Sequence, residues 1–294
     1  GTAKAGINYV ATNGTLSFVP GQTAASFTVK LLDDGLTNSA PFYFNIVLSN
    51  PSAGAVLGAP TNAQVNLVDA QSFNRPPGSG DVTFNQQGLN SDVLALGLQS
   101  DGLIVAGGNF TGVNGIPRGH FARFNADGSL DTEFLNGLSG ADGSIYALQV
   151  QTDVRILLGG AFGSINGVVR SRIARVGIDG TLDVSFSPGS GADGSIFALA
   201  ETFGDGVRKL YVGGAFTSFQ GADHPGIVRL SDNGIVDSAF TSTGVEGIVY
   251  AIATYPTNSI FAGKVLIGGS FTTVNGVSQT NIARLNVDGS LDTN

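Results

Sequence analysis

Apolar and polar residues alternate with a period of two through much of the chain, in short runs that end at glycine-containing turns. VLALGLQ (93–99) and LIVAGGNF (103–110) alternate on either side of Ser100-Asp101-Gly102. HFARFN (120–125) and LDTEF (130–134) flank Ala126-Asp127-Gly128 in the same way. Period-two alternation interrupted by Asp-Gly predicts antiparallel hairpins, so this stretch reads as a small sheet of three or four strands.

That stretch recurs. GGNFTGVNG (107–115), GGAFGSING (159–167), GGAFTSFQG (213–221) and GGSFTTVNG (268–276) are one motif, and their phenylalanines Phe110, Phe162, Phe216 and Phe271 lie 52, 54 and 55 residues apart. Arg123, Arg175, Arg229 and Arg284 keep the same intervals, and each is followed eight residues later by Asp131, Asp183, Asp237 or Asp292. DVLAL (92–96), SIYAL (144–148), SIFAL (195–199) and IVYAI (248–252) precede the glycine pairs. Periods of this size mark units that bury their faces by stacking on their neighbours. Four units result, about 81–134, 135–186, 187–240 and 241–294, each fitting a propeller blade. Glycine pairs inside the second strand predict close backbone approach where blades crowd an axis.

Before residue 71 the rhythm differs, and residues 71–80 (QSFNRPPGSG) read as a linker, because Pro76 and Pro77 followed by Gly78, Ser79 and Gly80 break regular structure. Composition agrees with turn-dense β protein rather than helices: 44 glycines in 294 residues, with 12% charged and 42% hydrophobic positions, enough for a core. A net charge of −8 with only 14 Lys and Arg, nowhere clustered, excludes a nucleic-acid face. No apolar run is long enough for a membrane span. The absence of Cys removes disulfides, thiolate chemistry and Cys-ligated zinc. Such acidic, Cys-free, Gly- and Asn-rich chains are common among secreted bacterial surface proteins, and a chain without Met is expected to be a piece of a longer one.

On these motifs the four units resemble the delta-60 repeat, a bacterial propeller-type repeat with the pattern GGxFtxvnG…iaRlnxDGsLDtxF. The resemblance implies a fold and no common activity. Residues 1–70 resemble a Calx-beta domain through GTAKAGINYVATNGTLSFVPGQTAASFTVKLLDD, FNIVLSNPSAGAVLG and AQVNLVDA. That family implies an immunoglobulin-like β-sandwich whose opening strands are missing here. The whole is then all-β: a Calx-beta-like sandwich followed by a propeller-like array of four antiparallel units.

Exchanger Calx-beta domains hold calcium with clustered carboxylates, and Ca²⁺ takes six to eight oxygens. The resemblance leaves Asp33, Asp34 and Asp69 as the candidate metal ligands, with the Asn8 side chain beside them; the other acidic positions fall on residues such as Asn38, Pro41 and Ala70. Three carboxylates are more in keeping with a vestigial site kept as turn chemistry. In the repeats, Asn125, Asp127 and Asp131 are spaced like the later ligands of a cation loop, yet the first ligand position is an arginine in every copy. The expectation is therefore that Asp127-Gly128 makes a tight turn and that Asp131 and its counterparts pair with the arginine or cap backbone amides.

Two histidines, His120 and His224, read as solvated loop residues, and no nucleophile lies in a recognisable motif. The Gly-Ala-Asp-Gly copies precede no helix, so they are turns and not phosphate cradles. Asn13-Gly14-Thr15 and Asn109-Phe110-Thr111 match the glycosylation triplet by chance composition. DVTF (81–84) aligns with DTEF and is expected to complete the last blade, giving four units in a ring, with more blades outside this chain an equal alternative.

The functional expectation is a non-enzymatic extracellular structural or adhesive module of a large bacterial surface protein, with no cofactor beyond that candidate calcium. Its partners would be other copies of itself, joined head to tail by strand donation into a filament, or neighbouring domains. The competing reading is a ligand-binding propeller that holds a surface glycan or protein at the loops 111–120, 163–172, 217–226 and 272–281.

Overall fold

The computed structural model describes residues 1–20, 22, 25–32, 42–52, 54–58, 61–67, 84, 88–204 and 206–293. It is all-β: among the described residues there is no helix, and every strand pair is antiparallel. Two compact units divide the chain, Gly1–Thr83 and Phe84–Asn294. The expected linker 71–80 and residues 81–83 lie outside the described residues.

In the first unit the strands Phe42–Val47 and Asn62–Leu67 pair with Phe44 opposite Val65. Phe44 is buried and its ring stacks on Tyr9, with centroids 4.4 Å apart. Tyr9 in turn bridges Leu31.

The second unit carries four repeats built alike. In the first, Val93–Leu98 pairs with Ile104–Gly108, which pairs with Phe121–Phe124. Repeat two has Ile145–Val150, Ile156–Gly160 and Ile173–Val176 in the same order. Repeat three has Ile196–Gly204, Val207–Gly214 and Ile227–Ser231. In repeat four Val245–Thr254 and Val265–Val274 run longer and pair with Ile282–Leu285 and Val277–Ser278, making one four-stranded sheet. Every first strand carries a bulge at Leu94, Tyr146, Phe197 or Tyr250. Three of these bulged residues form an aromatic row, with Tyr146–Phe197 and Phe197–Tyr250 centroids 5.2 and 5.4 Å apart.

Three sequence expectations change. The segment LDTEF makes only the single bridge Phe124↔Leu130, repeated at Val176↔Leu182, Leu230↔Val236 and Leu285↔Leu291. No fourth strand forms there because Asp131 Oδ1 takes the amides of Glu133 and Phe134, 3.0 and 3.4 Å away, and bends the chain out of the sheet.

The glycine pairs are not a meeting of backbones around an axis. The second glycine lies at the bulge, where a Cβ on Gly108 would run into the Asp92 carbonyl of its own sheet. The first takes a side chain from the next repeat: a Cβ on Gly107 would lie 2.6 Å from Ile145 Cγ2, one on Gly159 2.6 Å from Ile196 Cγ2, and one on Gly213 2.7 Å from Val249 Cγ1. Three buried clusters accordingly span repeats one and two, two and three, and three and four.

Nor do the four repeats close a ring among the described residues. The faces that would meet stay open to solvent, with Leu96 and Leu98 68% and 71% exposed on repeat one and Ile282 62% exposed on repeat four. Phe84, expected to match Phe134, Phe186 and Phe240, is exposed where those three are buried.

Candidate functional site

The groups that carry charge in the repeats gather at one recurrent place, the turn after each third strand. Asp127 Oδ1 accepts from the Ser129 amide at 2.9 Å and its hydroxyl at 2.7 Å, and these bonds hold the Asp127 carboxyl below its ordinary range. Asp179 with Thr181 and Asp288 with Ser290 repeat this turn. In repeat three Asn233 makes it with a weaker bond to the Ile235 amide, 3.3 Å long.

The eight-residue interval then brings each arginine onto its aspartate. Nε of Arg123, Arg175, Arg229 and Arg284 donates to Oδ2 of Asp131, Asp183, Asp237 and Asp292 at 2.7, 2.7, 2.9 and 2.6 Å. The other aspartate oxygen takes the amide two residues on, as at Ser185 (2.9 Å) and Ala239 (3.1 Å). Each guanidinium also lies over a ring: Phe134, Phe186 and Phe240 in the first three repeats, and Phe261 in the fourth.

The interval does not show where the far end of the guanidinium goes. Arg123 donates to the Ile178 carbonyl, Arg175 to the Asp232 carbonyl at 2.6 Å, and Arg229 to the Val287 carbonyl. Each acceptor belongs to the turn of the following repeat, so the arginine ties one repeat to the next. A second cation joins the later pairs. Arg155, Lys209 and Lys264 reach Asp183, Asp237 and Asp292 at 3.1, 2.8 and 2.6 Å. The signal was present as a basic residue just before each later glycine strand, in VRILLGG, RKLYVGG and GKVLIGG; repeat one has Leu103 there.

Repeats two and three add a wider network. Arg208 binds Asp153 at 2.8 Å and Asp232 at 3.0 Å, and Arg155 binds Asp153 at 2.6 Å. Burial would raise the Asp153 carboxyl, but its bonds to Arg155 and Arg208 prevail and hold it well below the ordinary range. For Glu201 burial wins over the nearby Arg208, and its carboxyl is raised. Burial also acts against Asp183, yet Ser185 and Arg175 hold it at about 2.

A further structural carboxylate sits ahead of the first strand in repeats two and three, where repeat one has Asn90. Asp142 Oδ1 takes the Gly163 and Ser164 amides at 2.7 and 2.8 Å, and Asp193 takes those of Thr217 and Ser218 at 2.8 and 3.0 Å. In those two repeats these bonds pin the segments read as rim loops, and all four such segments are regular. Each holds a two-residue hairpin at Asn114-Gly115, Asn166-Gly167, Gln220-Gly221 or Asn275-Gly276, with φ positive at both positions.

The histidines fall on scaffold. His120 has φ 65°, the left-handed position filled by Arg172, Gly226 and Asn281 elsewhere, and its Nδ1 lies 3.2 Å from the Gly108 carbonyl. His224 sits in the third hairpin segment, where burial lowers its pKa. Asp33, Asp34 and Asp69, the candidate calcium ligands, lie outside the described residues. Asn8 is described and buried, and its Oδ1 accepts from the Lys4 amide at 2.9 Å, closing a turn. Among the described residues no three His, Asp or Glu side chains converge where a metal ion could sit. Chemically the arrangement joins repeat to repeat: its carboxylates already face guanidinium, ammonium or amide donors, which leaves a cation little to bind.

Two family models match this sequence. The domain of unknown function DUF5122, described as a beta-propeller, matches residues 99–134, 151–186, 208–240 and 263–294, and the Calx-beta domain matches residues 1–71. The sodium/calcium exchanger Calx of Drosophila melanogaster is 38% identical over 69 residues. That segment is 24% of this chain and 7% of the exchanger, so the likeness concerns one domain.

Proposed function

From a chain that joins a Calx-beta domain at residues 1–71 to DUF5122 beta-propeller repeats between 99 and 294, we infer a non-enzymatic structural and adhesive module that works outside the cell as part of a bacterial surface protein. One observation carries the reading. The repeats' charged side chains bind one another and the neighbouring backbone, as when Arg229 holds Asp237 and the Val287 carbonyl together. A catalytic site needs charged groups left free for a substrate, whereas a scaffold uses them as cross-links.

The filament form of this reading has a neighbouring chain add a strand beside the paired strands Phe42–Val47 and Asn62–Leu67. Immunogold labelling of intact producing cells tests the location. Label on the outer surface is expected; label that appears only after permeabilisation would overturn it.

A second reading, a glycan- or protein-binding rim, is favoured by the exposed apolar tips of the short hairpins, Ile116, Val168, Val169 and Val277. Saturable binding on a glycan or protein array that Val169→Asp removes would select it over the scaffold.

A further inference from the structure

Three cations stay out of the cross-links. Among the described residues, every Lys and Arg from residue 84 onward has a carboxylate partner except Arg118, Arg170 and Arg172. All three stand between the short hairpin and the third strand, in repeats one and two. The place is the same in each repeat: the amides of Arg118, Arg170, His224 and Gln279 donate to the carbonyls of Thr111, Gly163, Thr217 and Thr272. The residue after each of the first three accepts from the next repeat, Gly119 from Ala141 at 2.8 Å, Ser171 from Ala192 at 3.3 Å and Pro225 from Val245 at 2.9 Å. These positions therefore follow one another along one edge of the array.

Arg118 and Arg170 take one pose. NH1 of Arg118 donates to the Pro117 carbonyl and NH1 of Arg170 to the Val169 carbonyl, each at 2.9 Å, while Nε of both is buried with no acceptor. Arg118 is 7% exposed, and burial pushes its pKa down against the pull of Asp131, a carboxylate that Arg123 already holds. Arg172 has the Phe162 carbonyl 3.3 Å from its NH1. A buried guanidinium with unused donors is held at a cost to the fold, and an oxyanion seated on it offsets that cost. The residues leading into these arginines are apolar: Ile116, Val168 and Val169 are 39%, 45% and 74% exposed. Further along the edge the charge fades, since His224 has Asp223 next to it and Gln279 is neutral.

We propose that this edge of repeats one and two binds an acidic, aliphatic segment of a partner protein, with its carboxylates on Arg118, Arg170 and Arg172 and its apolar side chains on the hairpin tips. The proposal rests on the second reading above and names the ligand of that rim. A peptide suits the tips better than a glycan, because they offer branched aliphatic groups and no ring to lie against a sugar face. Three guanidinium groups on a chain of net charge −8 are too few for a nucleic acid.

Fluorescence anisotropy of the full chain with a labelled peptide of alternating glutamate and valine tests it, beside the glutamine–valine counterpart and oligogalacturonate. Saturable binding of the glutamate peptide alone is expected. Arg170→Gln should weaken it at least about tenfold, the effect of one lost charge-assisted contact. Lys30→Gln removes the same charge from the first unit and should leave the affinity unchanged. Arg118→Met keeps the stem without the charge. It should weaken binding as Arg170→Gln does while the thermal midpoint holds or rises, because no ion pair is broken.

A chain that ignores the glutamate peptide, or binds it equally well after Arg170→Gln, overturns the proposal. A midpoint lowered by Arg118→Met would make that arginine part of the scaffold and overturns it too. Tighter binding of oligogalacturonate would assign the edge to an acidic glycan instead. If the peptide fails while Val169→Asp still removes array binding, the rim reading survives without this ligand; array binding that Val169→Asp leaves intact removes the rim reading itself.

Discussion

At the scale of the residue, what matters is how many partners a buried charge keeps when one is removed. Arg229 exposes 6% of its side chain and has one carboxylate, Asp237, which is also bound by Lys209. Asp237→Asn strands that guanidinium and is expected to cost about 3–5 kcal/mol in denaturant unfolding, the range for a buried pair broken from one side. Asp183→Asn should cost less, because Arg175 keeps Asp232 Oδ1 at 3.0 Å. Equal losses at the two sites would mean that the second carboxylate does not share the charge.

The same carboxylates set the acid limit. Against the pull of burial, Thr217 and Ser218 hold Asp193 at about 2, and Asp183 is held there too, both below the ordinary 3.8. A depressed folded pKa adds stability that is present above the unfolded value and disappears as pH falls through the folded one. The urea midpoint of the repeats is therefore expected to fall between about pH 4 and about pH 2, and Asp193→Asn should flatten that slope. A midpoint level through this window would show that these bonds do not favour the ionised form. The arginine–aspartate pairing could be expected from its fixed interval and like residue types. Its third partner could not, because the Ile178, Asp232 and Val287 carbonyls carry no mark in the sequence.

At the scale of the strand, the glycine pairs make two different demands. Gly159 gives room to Ile196 of the next repeat, with its Cγ2 at 2.6 Å and the Leu199 Cδ1 at 3.2 Å from an added Cβ. Gly159→Val forces the junction apart and is expected to cost about 1–3 kcal/mol, as overpacking does in a filled core. Gly268→Ala is the control: the same motif position with nothing nearer than 3.8 Å, so its thermal midpoint should stay close to wild type. If both substitutions cost the same, the glycines serve their own strand and not the neighbour.

Much at this scale was legible in the residues. Period-two alternation around Ser100-Asp101-Gly102 gave the first hairpin, and the recurring GGxF gave the repeats and their order. The rim segments misled because a two-residue hairpin such as Asn166-Gly167 needs so few residues that turn and strand cannot be told apart by alternation. LDTEF misled for the opposite reason. Its alternation is strand-like, but Asp131 captures the next amides before a ladder can form.

At the scale of the whole molecule, four repeats that touch only their neighbours behave as a chain of similar links. Closure is the one property such a pattern cannot specify: identical junction residues serve a ring and an open row equally, and only the exposure of Leu96 and Ile282 distinguishes them. The same logic separates the two units in their response to calcium. Asp33, Asp34 and Asp69 all belong to the first unit, whereas in the repeats Asp131, Asp183, Asp237 and Asp292 each already hold a guanidinium. A ligand raises stability only where it binds the folded form better than the unfolded one, and a cation entering the repeat turns would have to displace that guanidinium or share its oxygen with it. In scanning calorimetry the transition of residues 84–294 is therefore expected at the same temperature in calcium and in chelator, with any calcium-dependent shift confined to the first unit. A repeat transition that rose with calcium, and stopped doing so in Asp127→Asn, would place a cation in the turns and end the reading of these residues as cross-links between repeats.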